Sequence, residues 1–394
     1  MFLYIAFAVL LIYGIVLLRS ERLMPRGTEW LLPAILLGLG LGLRLYLILQ
    51  KVSLSAGIED VIAYGREAGF IGCIRYTTSA LPLPLQLIIA LCTLLPEHSE
   101  SIFRIFCIFA SITGAWGCQR AVQTVSNRTA PRMAAFLLYF FLPSLVLSDA
   151  AGTGSQFALV FLILAVDCFL SSKGTLGAVF AGLAVAFRPG SALLLPVFLV
   201  FKACSARKGK FILFALGTWF VSGIPFLLMG RAPGKVYPLW PGIPYLFSLA
   251  PAQGCPGLFS TGLFSCPAVV GILLFAGITA LLVWFLGRRE LLKDKRGQLG
   301  ILALAALVGC LLLPWTDTGS LLAAEAVLVI LCCGAPGAIP SAVCIFLTSG
   351  VTLCGRYLPG LAIPYASFII PGGMTVGLLL LLLYSFGRPT KGSR

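Results

Sequence analysis

The chain has one histidine, His98, and only 13 acidic residues in 394. Its 13 cysteines include no C-x-x-C pair, so neither a zinc site nor a disulfide framework is indicated. Charge is scarce as well: 10% of residues are charged and 59% hydrophobic, with a mean hydropathy of +1.04. No water-soluble single domain of this length needs so apolar a composition for its core, which makes this a polytopic membrane protein with the lipid bilayer as its surroundings. The net charge of +15 raises the question of nucleic acid. The basic residues, however, sit in short clusters between apolar runs rather than in one stripe, and no nucleic-acid partner is expected. The cysteines scattered through the apolar runs read as small buried hydrophobes. Cys255 and Cys266 share one loop and are either a disulfide or two free thiols.

Crossing the hydrocarbon takes about 20 apolar residues. On that rule spans are read at 2–18, 30–50, 102–118, 133–149, 156–171, 174–187, 190–203, 211–229, 267–286, 299–315, 319–334, 340–356 and 366–386, of which the two runs either side of Arg188 and Pro189 are short for full crossings. The fold class expected is all-α, a polytopic transmembrane helical bundle of about 11–13 spans. The first run has no basic segment before it and "RSERLMPR" after it, the pattern of an uncleaved first span with its N-terminus outside. The stretch "LPLPLQLIIALCTLLP" (81–96) is short and opens with two prolines, which suits an interfacial helix. Keeping it out of the membrane places the clusters around Arg19–Arg26, Arg120–Arg132, Lys202–Lys210, Arg288–Arg296 and Arg388–Arg394 on the inner side, as the positive-inside rule asks. The C-terminus is then cytoplasmic. Two long exterior loops result, 51–101 with interfacial helices and 230–266, the latter rich in Pro, Gly and aromatics ("YPLWPGIPYLF"). Long loops between membrane helices are usually functional or disordered.

Within the first loop, "GIEDVIAYGREAG" (57–69) places Glu59 beside Asp60 close to the membrane boundary. Adjacent residues on a helix point about 100° apart, so one can serve as a base and the other as a metal or hydrogen-bond partner. The plainer alternative is a helix N-terminus stabilised by acids in its first turn. Other ionisable residues carry paired readings too. Arg44 is read as a snorkelling side chain or packing partner, with Gly38 and Gly42 offering a small-residue helix contact. Asp149 is read as a site acid or the end of its span, Asp317 as a site acid or a helix cap, and His98 as a solvated loop residue. Glu325 falls within an apolar run, where a carboxylate is either functional or a protonated packing group.

Taken in order, several stretches resemble the GT-C superfamily, polytopic glycosyltransferases that take sugar from a polyprenyl-phosphate carrier. The first is a span with an arginine ("GLGLGLRLYLILQ"), followed by the acidic pair opening a helix ("IEDVIAYGREAG") and then "LPLPLQLIIAL". Later, "YFFLPSLVLSDAAGTGSQFALVFLIL" (139–164) and "GAVFAGLAVAFRPGSALLLPVFLVF" (177–201) are similar to the family's second exterior turn and its proline-containing span. The likeness covers roughly residues 35–230, which divides the chain into a GT-C-like catalytic module (1–230) and a divergent C-terminal membrane region (231–394). The acidic pair reads Glu-Asp where Asp-Glu is commoner, and "LPWTDTGSLL" (313–322) replaces a basic or His-containing turn.

The resemblance implies transfer of a sugar from a polyprenyl-phosphate-linked donor to a lipid, glycan or protein acceptor on the exterior face, with inversion, as in cell-envelope glycosylation. It implies Asp60, Glu59 and Asp149 as catalytic acids or bases and Arg188, Lys235 and Arg356 on the donor phosphate. Tyr64, Tyr76 and Asp317 would support the acceptor or the loop. For the leaving phosphate the chemistry admits either these cations or a divalent metal ion. Arginine is suited to the phosphate because its guanidinium bonds two oxygens at once. The competing readings are a secondary transporter or lipid-linked-sugar flippase, and a non-catalytic relative of the family.

Overall fold

The computed structural model describes residues 31–49, 52, 54–76, 81–199, 201, 208–229, 268–288, 291–312, 318–357 and 366–387. These residues form helices and turns, with no strand among them. In chain order the helices are α1 (Leu31–Leu49), α2 (Ala56–Arg75), α3 (Leu83–Cys92), α4 (Ser99–Val125), α5 (Thr129–Phe140), α6 (Pro143–Ala150), α7 (Ser155–Leu170) and α8 (Gly174–Phe187). There follow the single turn α9 (Leu195–Phe198), then α10 (Lys208–Leu228), α11 (Ala268–Arg288), α12 (Lys295–Leu312), α13 (Thr318–Gly334), α14 (Ile339–Tyr357) and α15 (Ala366–Phe386). The first-span region 2–18, the loop 230–266 and the Cys255–Cys266 pair lie outside the described residues.

Four of these helical stretches are long and apolar enough to cross a membrane, or five if the bent pair α5–α6 counts as one crossing. The protein is an integral membrane protein on that ground. Burial separates its centre from its rim. α12 is enclosed over 83% of its apolar window, whereas α10 and α11 are enclosed over only 22%. Leu213, Leu228, Leu273 and Leu281 accordingly point outward, an apolar face that lipid tails solvate without cost. One hydrophobic cluster runs from α1 through α13 to α15 and draws on residues either side of position 230. A second, smaller cluster joins α2, α3 and the start of α4 through Ile58, Val61, Ile62, Ile74, Ile89 and Phe103.

The structure departs from the sequence reading at two spans. The run 133–149 is not one straight helix: α5 ends at Phe140, and α6 starts at Pro143 with a 44° bend between them. Pro143 has no N–H for the preceding turn and biases Leu142 away from helical angles, which its ψ of 123° reflects. The run 190–203 is not a continuous helix either, because Pro189 and Pro196 divide it into a 3-10 turn (Pro189–Leu194) and the four residues of α9. α3 has ten residues and rises about 15 Å, half of the hydrocarbon thickness.

Close helix contacts rest on glycine where a side chain would collide. Gly182 of α8 lies against the backbone carbonyl oxygen of Ala215 on α10, and an added Cβ would also stand 2.9 Å from the Thr218 Cβ. Gly182→Leu is expected to push the two helices apart at a cost of about 1–3 kcal/mol. A lowered unfolding temperature in nanodiscs checks this; an unchanged one would mean the α8–α10 contact yields freely.

Candidate functional site

Three turns meet at one end of the bundle. The first leads into α2. Ser55 N donates to Ala151 O at 3.1 Å, which ties the start of the acid-bearing helix to the turn after α6. Ile58 N and Glu59 N both donate to Ser55 O, so the helix begins immediately beyond this tie. Glu59 and Asp60 then occupy its opening residues, exposed to solvent. From α4, the buried Arg104 donates through Nη2 to Val52 O at 2.7 Å, and its guanidinium lies within electrostatic reach of Glu59.

The second turn follows α6. Asp149 is fully buried, with Oδ2 accepting from Arg44 Nε at 2.7 Å and Oδ1 from Ser111 Oγ at 2.7 Å. Arg44 is also fully enclosed: Nη2 donates to Phe140 O at 2.6 Å, Nη1 to Gly40 O at 3.2 Å, and the guanidinium carbon sits 3.9 Å above the Phe140 ring. The break between α5 and α6 makes this possible, because Phe140 O, in the last turn of α5, has no following helical N–H to receive. Gln156 lies beside Asp149, but neither atom of its amide reaches hydrogen-bond geometry. Ser148 Oγ and Thr153 Oγ1 are 2.6 Å apart. Gly154, at φ 70°, reverses the chain into α7, and a Cβ there would meet Leu85 of α3 at 2.7 Å. The turn therefore needs glycine twice over, for its backbone angle and for the approach of the first-loop helices.

The third turn follows α8. Phe187 stacks on Phe157 and Phe161 at 5.8 and 5.3 Å, which fixes the end of α8 against the start of α7. The next residue, Arg188, is extended before Pro189 and donates through Nη1 to Ser155 Oγ at 3.1 Å. Acid pair, buried ion pair and Arg188 thus share one end of the molecule.

The other candidates fall as follows. Tyr64 of α2 and Tyr76, just past its end, are ring partners with centroids 4.5 Å apart. Arg356 falls in the last turn of α14, and its side chain lies outside the described part of the structure. Lys235 and Asp317 are outside the described residues. His98 is exposed in the 3-10 turn before α4. Glu325 of α13 is fully buried and accepts from Ser144 Oγ, while its second carboxyl oxygen and Ser349 Oγ make no hydrogen bond among the described residues.

Of the two sequence readings of Arg44, snorkelling side chain or packing partner, the buried position excludes the first, and the ion pair with Asp149 goes beyond the second. Sequence reasoning missed Ser111, Ser155 and Gln86. The small-residue contact on α1 belongs to Gly40, where a Cβ would meet the Phe140 ring at 2.6 Å, whereas Gly38 and Gly42 face open space. One signal was available, since Gly40 precedes Arg44 by one helical turn and shares its face.

No three His, Cys, Asp or Glu side chains group into a metal site among the described residues. Burial pushes the Cys73 thiol up to about 11, so it stays protonated and serves as packing beneath α2. No protein-family model and no curated protein matches the chain.

Proposed function

We propose that the chain is a GT-C-type membrane glycosyltransferase that moves a sugar from a polyprenyl-phosphate donor to an acceptor hydroxyl. One observation supports this most: the three segments of the family resemblance, far apart in sequence, converge on one another through the Ser55–Ala151 and Arg188–Ser155 bonds. In this reading Asp60 is the base, because the Arg104 guanidinium lies within electrostatic reach of its neighbour Glu59. The Asp60 carboxylate takes the proton of the acceptor hydroxyl. The acceptor oxygen then attacks the anomeric carbon from the side opposite the phosphate. The carbon–oxygen bond to phosphate breaks, and polyprenyl phosphate leaves with the electron pair, inverting the anomeric centre. Arg188 stabilises the charge that grows on the phosphate, joined in this reading by Lys235 and Arg356.

The site faces the exterior, with the N-terminus outside, the C-terminus cytoplasmic, α2 and α3 at the interface, and about 11–13 spans in all. The test is release and transfer of sugar from a panel of radiolabelled polyprenyl-phosphate sugars by the purified protein in lipid, beside Asp60→Asn and Glu59→Gln. Transfer that Asp60→Asn eliminates supports the reading; no transfer with any donor overturns it.

A transporter or flippase is the second reading, and buried charge inside the bundle favours it. Arg44, Asp149 and Glu325 are all fully enclosed, and ionisable groups within membrane helices commonly mark an ion or substrate path. Uptake of lipid-linked sugar into sealed vesicles, dependent on Glu325 and independent of Asp60, would favour that reading over the transferase.

A further inference from the structure

We propose that Glu325, Ser144 and Ser349 form a buried site for one monovalent cation, Na+ or a proton. The site goes beyond the readings above and stands whether the chain transfers sugar or carries it.

Three helices supply the oxygens. Glu325 of α13, Ser144 at the start of α6 and Ser349 of α14 are all fully buried. Ser144 Oγ donates to Oε2 of Glu325. The other carboxyl oxygen, Oε1, makes no hydrogen bond, and neither does Ser349 Oγ, although Ser349 stands beside the carboxyl. Two polar atoms on packed helices are therefore left unsatisfied side by side, where burial makes each of them costly.

The backbone is broken at this place. α5 ends at Phe140 and α6 begins at Pro143, with the 44° bend between them, and Ser144 is the first residue past that proline. Gly350, next to Ser349, brings α14 against the break: an added Cβ there would stand 3.5 Å from the Cβ of Pro143. Discontinuous membrane helices recur at ion sites, because unwound backbone offers carbonyl oxygens beside the side chains.

Charge selects the ligand. A lone carboxylate enclosed among membrane helices is costly, and a single positive charge cancels it. Arg44 does not supply that charge, since its guanidinium is held by Asp149, Gly40 O and Phe140 O. A water molecule joining Oε1 to Ser349 Oγ would satisfy both atoms and leave the charge standing. A divalent ion would overshoot, with one acid to balance it and no cluster of three acids, cysteines or histidines among the described residues. A proton on Oε1 donates to Ser349 Oγ and pairs both atoms with one bond, and Na+ takes the same two oxygens as hard ligands. Of the titratable groups on helices packed against α13, Tyr139 of α5 lies within electrostatic reach of Glu325. Asp149 of α6 is paired with Arg44, and Cys118 of α4 lies within reach of Cys333.

The site is tested on the full chain in nanodiscs by two measurements. One is thermal unfolding as NaCl replaces choline chloride at constant ionic strength and pH. The other is infrared spectroscopy of the carboxyl region. With Na+ as the occupant, the unfolding temperature of the wild type rises saturably with Na+, Glu325→Gln shows no rise, and Ser349→Ala needs about tenfold more Na+, the range of a hydrogen bond to a charged group. With a proton as the occupant, the wild type is indifferent to Na+ and shows a protonated-carboxyl band that Glu325→Gln removes and Ser349→Ala shifts. Either pattern supports the site and identifies its ion. No Na+ response together with no such band overturns it, as does a Ser349→Ala variant that matches the wild type in both measurements. Ser349→Ala deletes a single oxygen and carries the test by itself should Glu325→Gln fail to fold.

Discussion

Arg44→Met is expected to destabilise the protein by about 3–5 kcal/mol, the cost of removing one partner of a buried ion pair. Asp149 would stay enclosed with only Ser111 donating to it, because the Arg44 Nε contact at 2.7 Å supplies its one charged partner. The Phe140 carbonyl would lose its Arg44 donor in the same step, and the Gly40 carbonyl, inside α1, would lose a second one, both in a buried setting. The double variant Arg44→Met, Asp149→Leu removes both charges and should recover most of the loss, since apolar replacement of a whole buried pair is often neutral. Chemical unfolding of the three proteins in a bilayer mimetic measures both effects. A single variant as stable as the wild type would show that the pair contributes nothing, and a double variant as damaged as the single would assign the loss to packing around Phe140.

The second large effect is on turnover. Asp60→Asn should lower sugar transfer about 10²- to 10⁴-fold, the usual contribution of a positioned general base, with donor affinity unchanged. Glu59→Gln should cost less, because Glu59 lies within electrostatic reach of the Arg104 guanidinium that holds Val52. Equal losses in the two variants would mean that the acids act as a unit, and a loss confined to Glu59→Gln would move the base by one residue. Asparagine keeps the size of aspartate and the exposed position, so folding should be untouched.

Much of the helical layout is legible in the chain. Apolar runs at 174–187 and 366–386 have the same bounds as α8 and α15, because glycines and lysines outside them punctuate the pattern clearly. The break at Leu142–Pro143 was hidden by hydrophobicity that runs straight through it, although the proline carried the signal. Arg44 was harder. A lone arginine in an apolar run looks the same whether it snorkels or pairs, and its partner lies 105 residues further on. The acids of the first loop are legible, but their surroundings are not: only packing of α4 beneath the loop brings Arg104 to Val52 and within electrostatic reach of Glu59. Tyr64 and Tyr76 are 12 positions apart, one on α2 and the other just past its end, and only the reversal at Gly69 makes them neighbours.

The Arg44–Asp149 pair also fixes an order of events at the ribosome. On the span assignment read from the sequence, α1 enters the bilayer while the residues that will receive its guanidinium are still untranslated. At about 5–20 residues per second, an interval of roughly 5–20 s passes before Asp149 is made. During that interval Arg44 is an uncompensated charge in the C-terminal third of a 19-residue segment, a burden below the roughly 2.5–3.5 kcal/mol of a helix centre on the insertion scale. The leucines of α1 must hold the segment in the membrane alone, or the translocon must retain it until α6 emerges. Nascent chains arrested before and after residue 149 should therefore differ in how firmly α1 resists extraction from the membrane.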